Sequence, residues 1–212
     1  MVTFGPLALL FYVIALVPAM LLHELAHGWT ARRLGDLTPK VAGRLTFSLR
    51  AHVDPIGTII VPGLLLLPVL FGRPSIAFGY AKAMPFDPQN LRKPRRDTVL
   101  VALSGMATNV ALGVIGGLVF RVLGSPGGLV SEFLVIWIFT NFLMAFFHLF
   151  PVPPLDGSKI LPLYLPFRAR NFYVSLEPYG GLFILLLVFI IRTPLFGLAT
   201  EAAQGFLELV AG

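Results

Sequence analysis

The stretch Leu21-Leu22-His23-Glu24-Leu25-Ala26-His27-Gly28 places an H-E-x-x-H pattern at the end of an apolar run. Residues four apart share one face of an α-helix, so His23 and His27 can offer two imidazole nitrogens to one metal ion. Glu24 then stands beside that ion, free to act on a water molecule. Zinc suits the set, because imidazole is a good ligand for it and a catalytic zinc takes three protein ligands, leaving a position for water. The metal lowers the pKa of that water from 15.7 to about 7, and a neighbouring carboxylate can take its proton. Two histidines on one helix face can also be merely packed or hydrogen-bonded. Ionisable residues beside a membrane-length apolar segment are costly, and by default they mark function.

Working outward, composition defines the solvent. Of 212 residues, 57% are hydrophobic and 12% charged, and the mean hydropathy is +0.86. Soluble domains carry about 25% charged residues, so the chain reads as an all-α polytopic membrane protein. Its length suits one domain, residues 1–212, built as a bundle of about five transmembrane helices. The net charge of +6 sits in loops beside apolar spans and reads as cytoplasmic anchoring, with no nucleic-acid partner implied. With no cysteine, any zinc must be held by His and carboxylate.

Residues 4–22 read as a permanent first span, since no basic segment precedes the run and no small-residue cleavage site follows it. The helix is expected to continue to Leu34, with Gly35 as its C-cap and Arg32 and Arg33 at the negative end of its dipole. Five basic residues between Arg32 and Arg50 put the next loop, and the metal pair, toward the cytoplasmic side. Residues 41–49 alternate in part and suggest a short strand. Residues 56–71 are apolar but short and broken by Pro62, Gly63 and Pro68. Both flanks are basic, so a re-entrant hairpin is preferred to a full span. The stretch 78–85 suggests another short strand ended by Pro85, and His52 reads as a surface residue.

Residues 98–123 and 130–150 make two clear spans. In the first, Gly113-x-x-x-Gly117 suits close helix packing, and Asn109 needs a partner in the apolar interior, which makes it either structural glue or part of the site. The second returns the chain to the side of His23 at His148-Leu-Phe-Pro-Val-Pro-Pro-Leu-Asp156-Gly157. Three prolines in four positions cannot continue a helix, and Asp156 becomes the best candidate third ligand. His148 is open between a further ligand, a donor to the reaction's oxyanion and a packed polar residue. A last span is expected over 179–198, followed by an amphipathic interfacial helix over 194–212 with Glu201, Gln204 and Glu208 on its polar face.

The segments H-E-L-A-H-G, G-Y-A-K-A-M-P, Ser-Gly-x-x-x-Asn and P-V-P-P-L-D-G, in that order, resemble the site-2 protease family of intramembrane zinc metalloproteases. The likeness is to its compact prokaryotic members without a PDZ or CBS domain. It implies one zinc per chain held by His23, His27 and Asp156, Glu24 as general base, and 79–85 as part of the edge that receives an unwound substrate. It also implies a multi-pass protein of a prokaryotic cell membrane, with transmembrane proteins or peptides and the bilayer as its partners. Two positions depart from the family pattern. His148 stands where the family usually has an Asn that assists the oxyanion, and Gly105-Met106-Ala107-Thr108-Asn109 lacks the family's Pro. Asn109 or His148 is then the candidate for stabilising the oxyanion. The competing classes are a metal-handling transporter, which should show repeated halves, and an inactive adaptor, which has no use for Glu24.

Overall fold

In the computed structural model, which describes residues 6–67, 79–180, 183 and 194–211, the chain is helical. Among the described residues three helices are long and apolar enough to cross a bilayer: α1 (Pro6–Arg33), α4 (Pro94–Val122) and α5 (Gly128–His148). Short elements lie between and after them: α2 (Thr38–Val41), α3 (Val61–Leu66), α6 (Gly157–Ile160) and α7 (Phe167–Val174). A final helix, α8, covers Pro194–Ala211. This is an all-α membrane protein.

The bundle is centred on α4, which packs against α1 on one side and α5 on another, while α5 also touches α1. The glycines of α4 permit the approach. A Cβ at Gly113 would lie 3.0 Å from the Phe142 ring of α5, and one at Gly117 would lie 2.6 Å from Val210 of α8. α8 packs along α5 and α4, its Ala203 buried in a cluster with Ile138 and Phe142. Arg121 near the end of α4 donates to the Leu209 carbonyl at 2.9 Å. The tail helix read as interfacial is therefore packed on the bundle along these contacts.

α1 ends as its sequence requires. Gly35 takes φ +115°, a conformation that costs glycine little, and the turn delivers Asp36 into a buried knot. The Asp36 carboxylate accepts from the backbone and hydroxyl of Thr38, from the Asp87 N–H at 2.7 Å and from Asn90 Nδ2 at 3.2 Å. Arg92 N–H adds a bond to the Leu34 carbonyl at 3.0 Å. The end of α1 is thereby tied to the segment that starts α4.

Three expectations change. Among the described residues no strand forms. Residues 41–49 run as a helix end, a turn and bends, because Arg44 N–H closes back on the Pro39 carbonyl at 2.9 Å. Residues 79–85 form no regular element. His52 is 4% exposed, its ring donating to the Thr46 carbonyl at 2.9 Å, and burial pushes its pKa down. Its backbone carbonyl accepts from Lys82 N–H. The apolar stretch 56–71 begins as a π-helical turn, Pro55–Ile60, capped by Asp54, and continues into α3. Residues 68–71, most of the expected span 179–198 and the start of the 78–85 stretch lie outside the described residues.

Candidate metal centre

α1 carries His23 and His27 one turn apart, with side chains almost wholly buried. Each ring is fixed from behind. His23 Nδ1–H donates to Asn109 Oδ1 at 2.6 Å, and His27 Nδ1–H donates to the Val101 carbonyl at 2.7 Å, both acceptors on α4. A carbonyl oxygen can only accept, so both rings hold their proton on Nδ1 and turn a lone pair on Nε2 inward. This is the tautomer a metal ligand needs, and the outer hydrogen bond also sets the ring's orientation and basicity.

Asp156 arrives from the far end of the chain. After α5 the chain turns through 149–156, and Gly157 packs so closely against the Leu149 and Phe150 carbonyls that a Cβ there would strike them. That contact sets Asp156 beside α1. Its Oδ2 lies 2.9 Å from His23 Nε2 and 3.2 Å from His27 Nε2, and the two Nε2 atoms are 3.0 Å apart. A tetrahedral zinc with ligands at 2.0–2.2 Å has edges of roughly 3.3–3.6 Å. The donor atoms stand a few tenths of an ångström inside that spacing, so the three residues fit the ion.

A second observation concerns space. Gly105 of α4 faces the site, and a Cβ there would lie 2.5 Å from His27 Nε2 and 2.6 Å from His23 Nε2. The glycine opens a cradle where the two lone pairs point. Glu24 lines the same cavity. Its carboxylate accepts from the Met84 N–H, while Oε2 is buried and without a protein partner among the described residues. An unpaired carboxylate oxygen next to the donor set is where a proton acceptor belongs.

The structure brings together His23, Glu24, His27, His148 and Asp156. His148, the last residue of α5, points Nδ1 at Asp156 Oδ2 from 2.8 Å. Asn109 lies behind His23, fully buried, its Nδ2 donating to Asn141 Oδ1 at 3.1 Å. Asn141 in turn donates to the Trp137 carbonyl at 2.9 Å. Asn141, Gly105 and the Val101 carbonyl were not visible as site elements in the sequence. Asn141 carried the same signal as Asn109, an amide in an apolar span that needs a partner; the other two depend on which face of α4 meets α1.

Along the cavity wall runs the segment 79–84. The protein holds it at several points: Tyr80 N–H bonds the Gly57 carbonyl, Lys82 N–H the His52 carbonyl, and Arg44 donates to the Lys82 and Ala83 carbonyls at 2.6 and 3.2 Å. The N–H groups of Ala81 and Ala83 have no hydrogen-bond partner among the described residues.

The chain is 36% identical over 200 residues to "Putative zinc metalloprotease YwhC" of Bacillus subtilis, covering 90% of this chain and 84% of that protein. It is 28% identical over 160 residues to "Putative zinc metalloprotease MJ0611" of Methanocaldococcus jannaschii, covering 74% of this chain and 72% of the relative. It is also 28% identical over 176 residues to "Putative zinc metalloprotease Rip2" of Mycobacterium tuberculosis, covering 80% of this chain and 62% of the relative. No protein-family model matches the chain, and no solved structure matches it significantly.

Proposed function

Because the chain belongs to the site-2 protease family of zinc metalloproteases, we propose that it is an intramembrane endopeptidase that cuts peptide bonds in or near transmembrane segments. One zinc per chain is held by His23, His27 and Asp156. The observation that carries this reading is the convergence of those three donor atoms, supplied by residues as much as 133 positions apart, beside a buried carboxylate with a free oxygen.

Zinc bound there supplies a Lewis acid for the scissile carbonyl and an acidified water. The protein's own groups do the rest. Glu24 takes a proton from the attacking water on Oε2 and returns it to the amide nitrogen as the C–N bond breaks. Met84 N–H holds the other side of that carboxylate. A helical substrate shields its peptide bonds with its own hydrogen bonds, so it must unwind. The free N–H groups of Ala81 and Ala83 offer an unwound segment an edge to pair with. Asn109 acts as a positioning residue, since its amide is engaged by His23 and Asn141.

The whole chain works as one unit in a prokaryotic cell membrane, with the site toward the cytoplasmic side. The basic loops support that orientation. The Tyr80 N–H bond to the Gly57 carbonyl places those two residues side by side.

The test is zinc content and cleavage of a single-span model substrate in liposomes. Wild type and Glu24→Gln should each hold one zinc, and Glu24→Gln should lose at least the ~10²–10⁴-fold typical of a missing general base. Undiminished cleavage by metal-loaded Glu24→Gln sinks the assignment. Zinc flux across the liposomes without cleavage turns the reading toward a transporter.

A further inference from the structure

His148 has a position that the zinc-protease reading above does not use. Its Nδ1 approaches Oδ2 of Asp156, the same oxygen that faces the Nε2 atoms of His23 and His27. A histidine that only oriented the carboxylate would serve equally well on the outer oxygen, away from the donor set. Instead its ring sits edge-on to His23 with centroids 4.3 Å apart. The ligand atoms of His23, His148 and Asp156 all lie within 4.8 Å of one another. The His148 side chain is 23% exposed, against 1% for His23 and 6% for His27, and it lines the cavity in which Glu24 stands. His23 and His27 are each pinned from behind by a hydrogen bond to α4. Asp156 is the one protein group that His148 bonds to among the described residues.

We propose that His148 is a fourth, displaceable protein ligand of the zinc, so that the resting centre is closed by three imidazoles and one carboxylate. A catalytic zinc keeps one position for water, whereas a zinc with four protein ligands is closed to chemistry. The resting enzyme is then latent: the His148 ring must leave before water and the scissile carbonyl can reach the ion. The ring that leaves is the one with solvent on one side and no anchor behind it. Its place at the cavity wall lets an incoming segment compete with it. This inference rests on zinc occupying the site, and it is separable from proteolysis because the ligand count is read without substrate.

The experiment is zinc-edge X-ray absorption on the full chain in detergent, loaded with one zinc, for wild type, His148→Asn and His148→Ala. Three imidazoles are expected in wild type and two in either variant, and the zinc dissociation constant should rise by about 10- to 100-fold, the scale on which metal-site contacts act. A peptide hydroxamate added to wild type should lower the count from three imidazoles to two as its oxygens bind. Two imidazoles in untreated wild type would reduce His148 to a hydrogen-bond partner of Asp156, and three that persist with the hydroxamate bound would overturn displacement. Failure of wild type to hold zinc at all would overturn this inference together with the metal assignment. Three imidazoles in a chain that cleaves nothing would uphold the ligand set and overturn only the protease reading.

Discussion

At the scale of single residues, the centre depends on atoms that never touch the metal. Asn109 gives His23 the acceptor that fixes its tautomer, so Asn109→Ala leaves a buried N–H unpaired and frees the ring to turn. Zinc affinity should fall by about 10- to 100-fold, measured by competition with a chelator, with Asn141→Ala showing a smaller loss through the same chain of amides. Gly105→Ala is the sharper case. Its methyl group would stand within 2.6 Å of both Nε2 atoms, so the variant should fold and bind little or no zinc. Metal analysis of the purified protein checks this, and full zinc occupancy would show that α4 can yield there. That His23, Glu24, His27 and Asp156 come together was legible, because helical spacing and span counting are local or topological properties. Of the support behind them, Asn109 was singled out in the sequence, but Asn141, the opening at Gly105 and the Val101 carbonyl were not, because they depend on which face of α4 meets α1, and a glycine or a main-chain carbonyl has no side-chain signature.

Among the elements, the junction between α1 and α4 is held by an ionised group. Burial opposes the charge on Asp36, but the hydrogen bonds from Thr38, Asp87 and Asn90 outweigh it and lower its pKa. A carboxyl depressed on folding contributes stability above its unfolded pKa of about 3.9 and loses it as the pH falls through the folded value. Asp36→Asn should therefore destabilise the protein by about 1–3 kcal/mol at neutral pH, and the gap to wild type should close below about pH 4. Thermal unfolding in detergent at the two pH values reads this; an equal gap at both would assign the effect to packing. The strand readings of 41–49 and 79–85 failed for a related reason. Partial alternation is satisfied equally by a loop whose hydrogen bonds go to an Arg44 guanidinium and to single carbonyls, and pattern alone does not distinguish a ladder from such a brace.

For the whole molecule, the proposed ligands and their supports come from α1, α4 and the turn after α5, so metal binding at this site should be coupled to assembly of the bundle. A ligand present at a thousand times its dissociation constant stabilises the folded state by about 4 kcal/mol. Chelation should accordingly lower the thermal midpoint of wild type and leave Gly105→Ala unmoved. The tail helix contributes separately: Gly117→Leu would drive a side chain into Val210, and should loosen α8 while zinc content holds. The long separation between the ligands has one more result, concerning time. His27 precedes Asp156 by 129 residues, which at 5–20 residues per second takes a ribosome roughly 6–26 s. During that interval the nascent chain carries half a metal site, two imidazoles with no carboxylate and, at first, no α4 behind them. On the zinc reading proposed above, the third ligand is made only after the helix Gly128–His148, so the complete donor set cannot form before that helix has been synthesised.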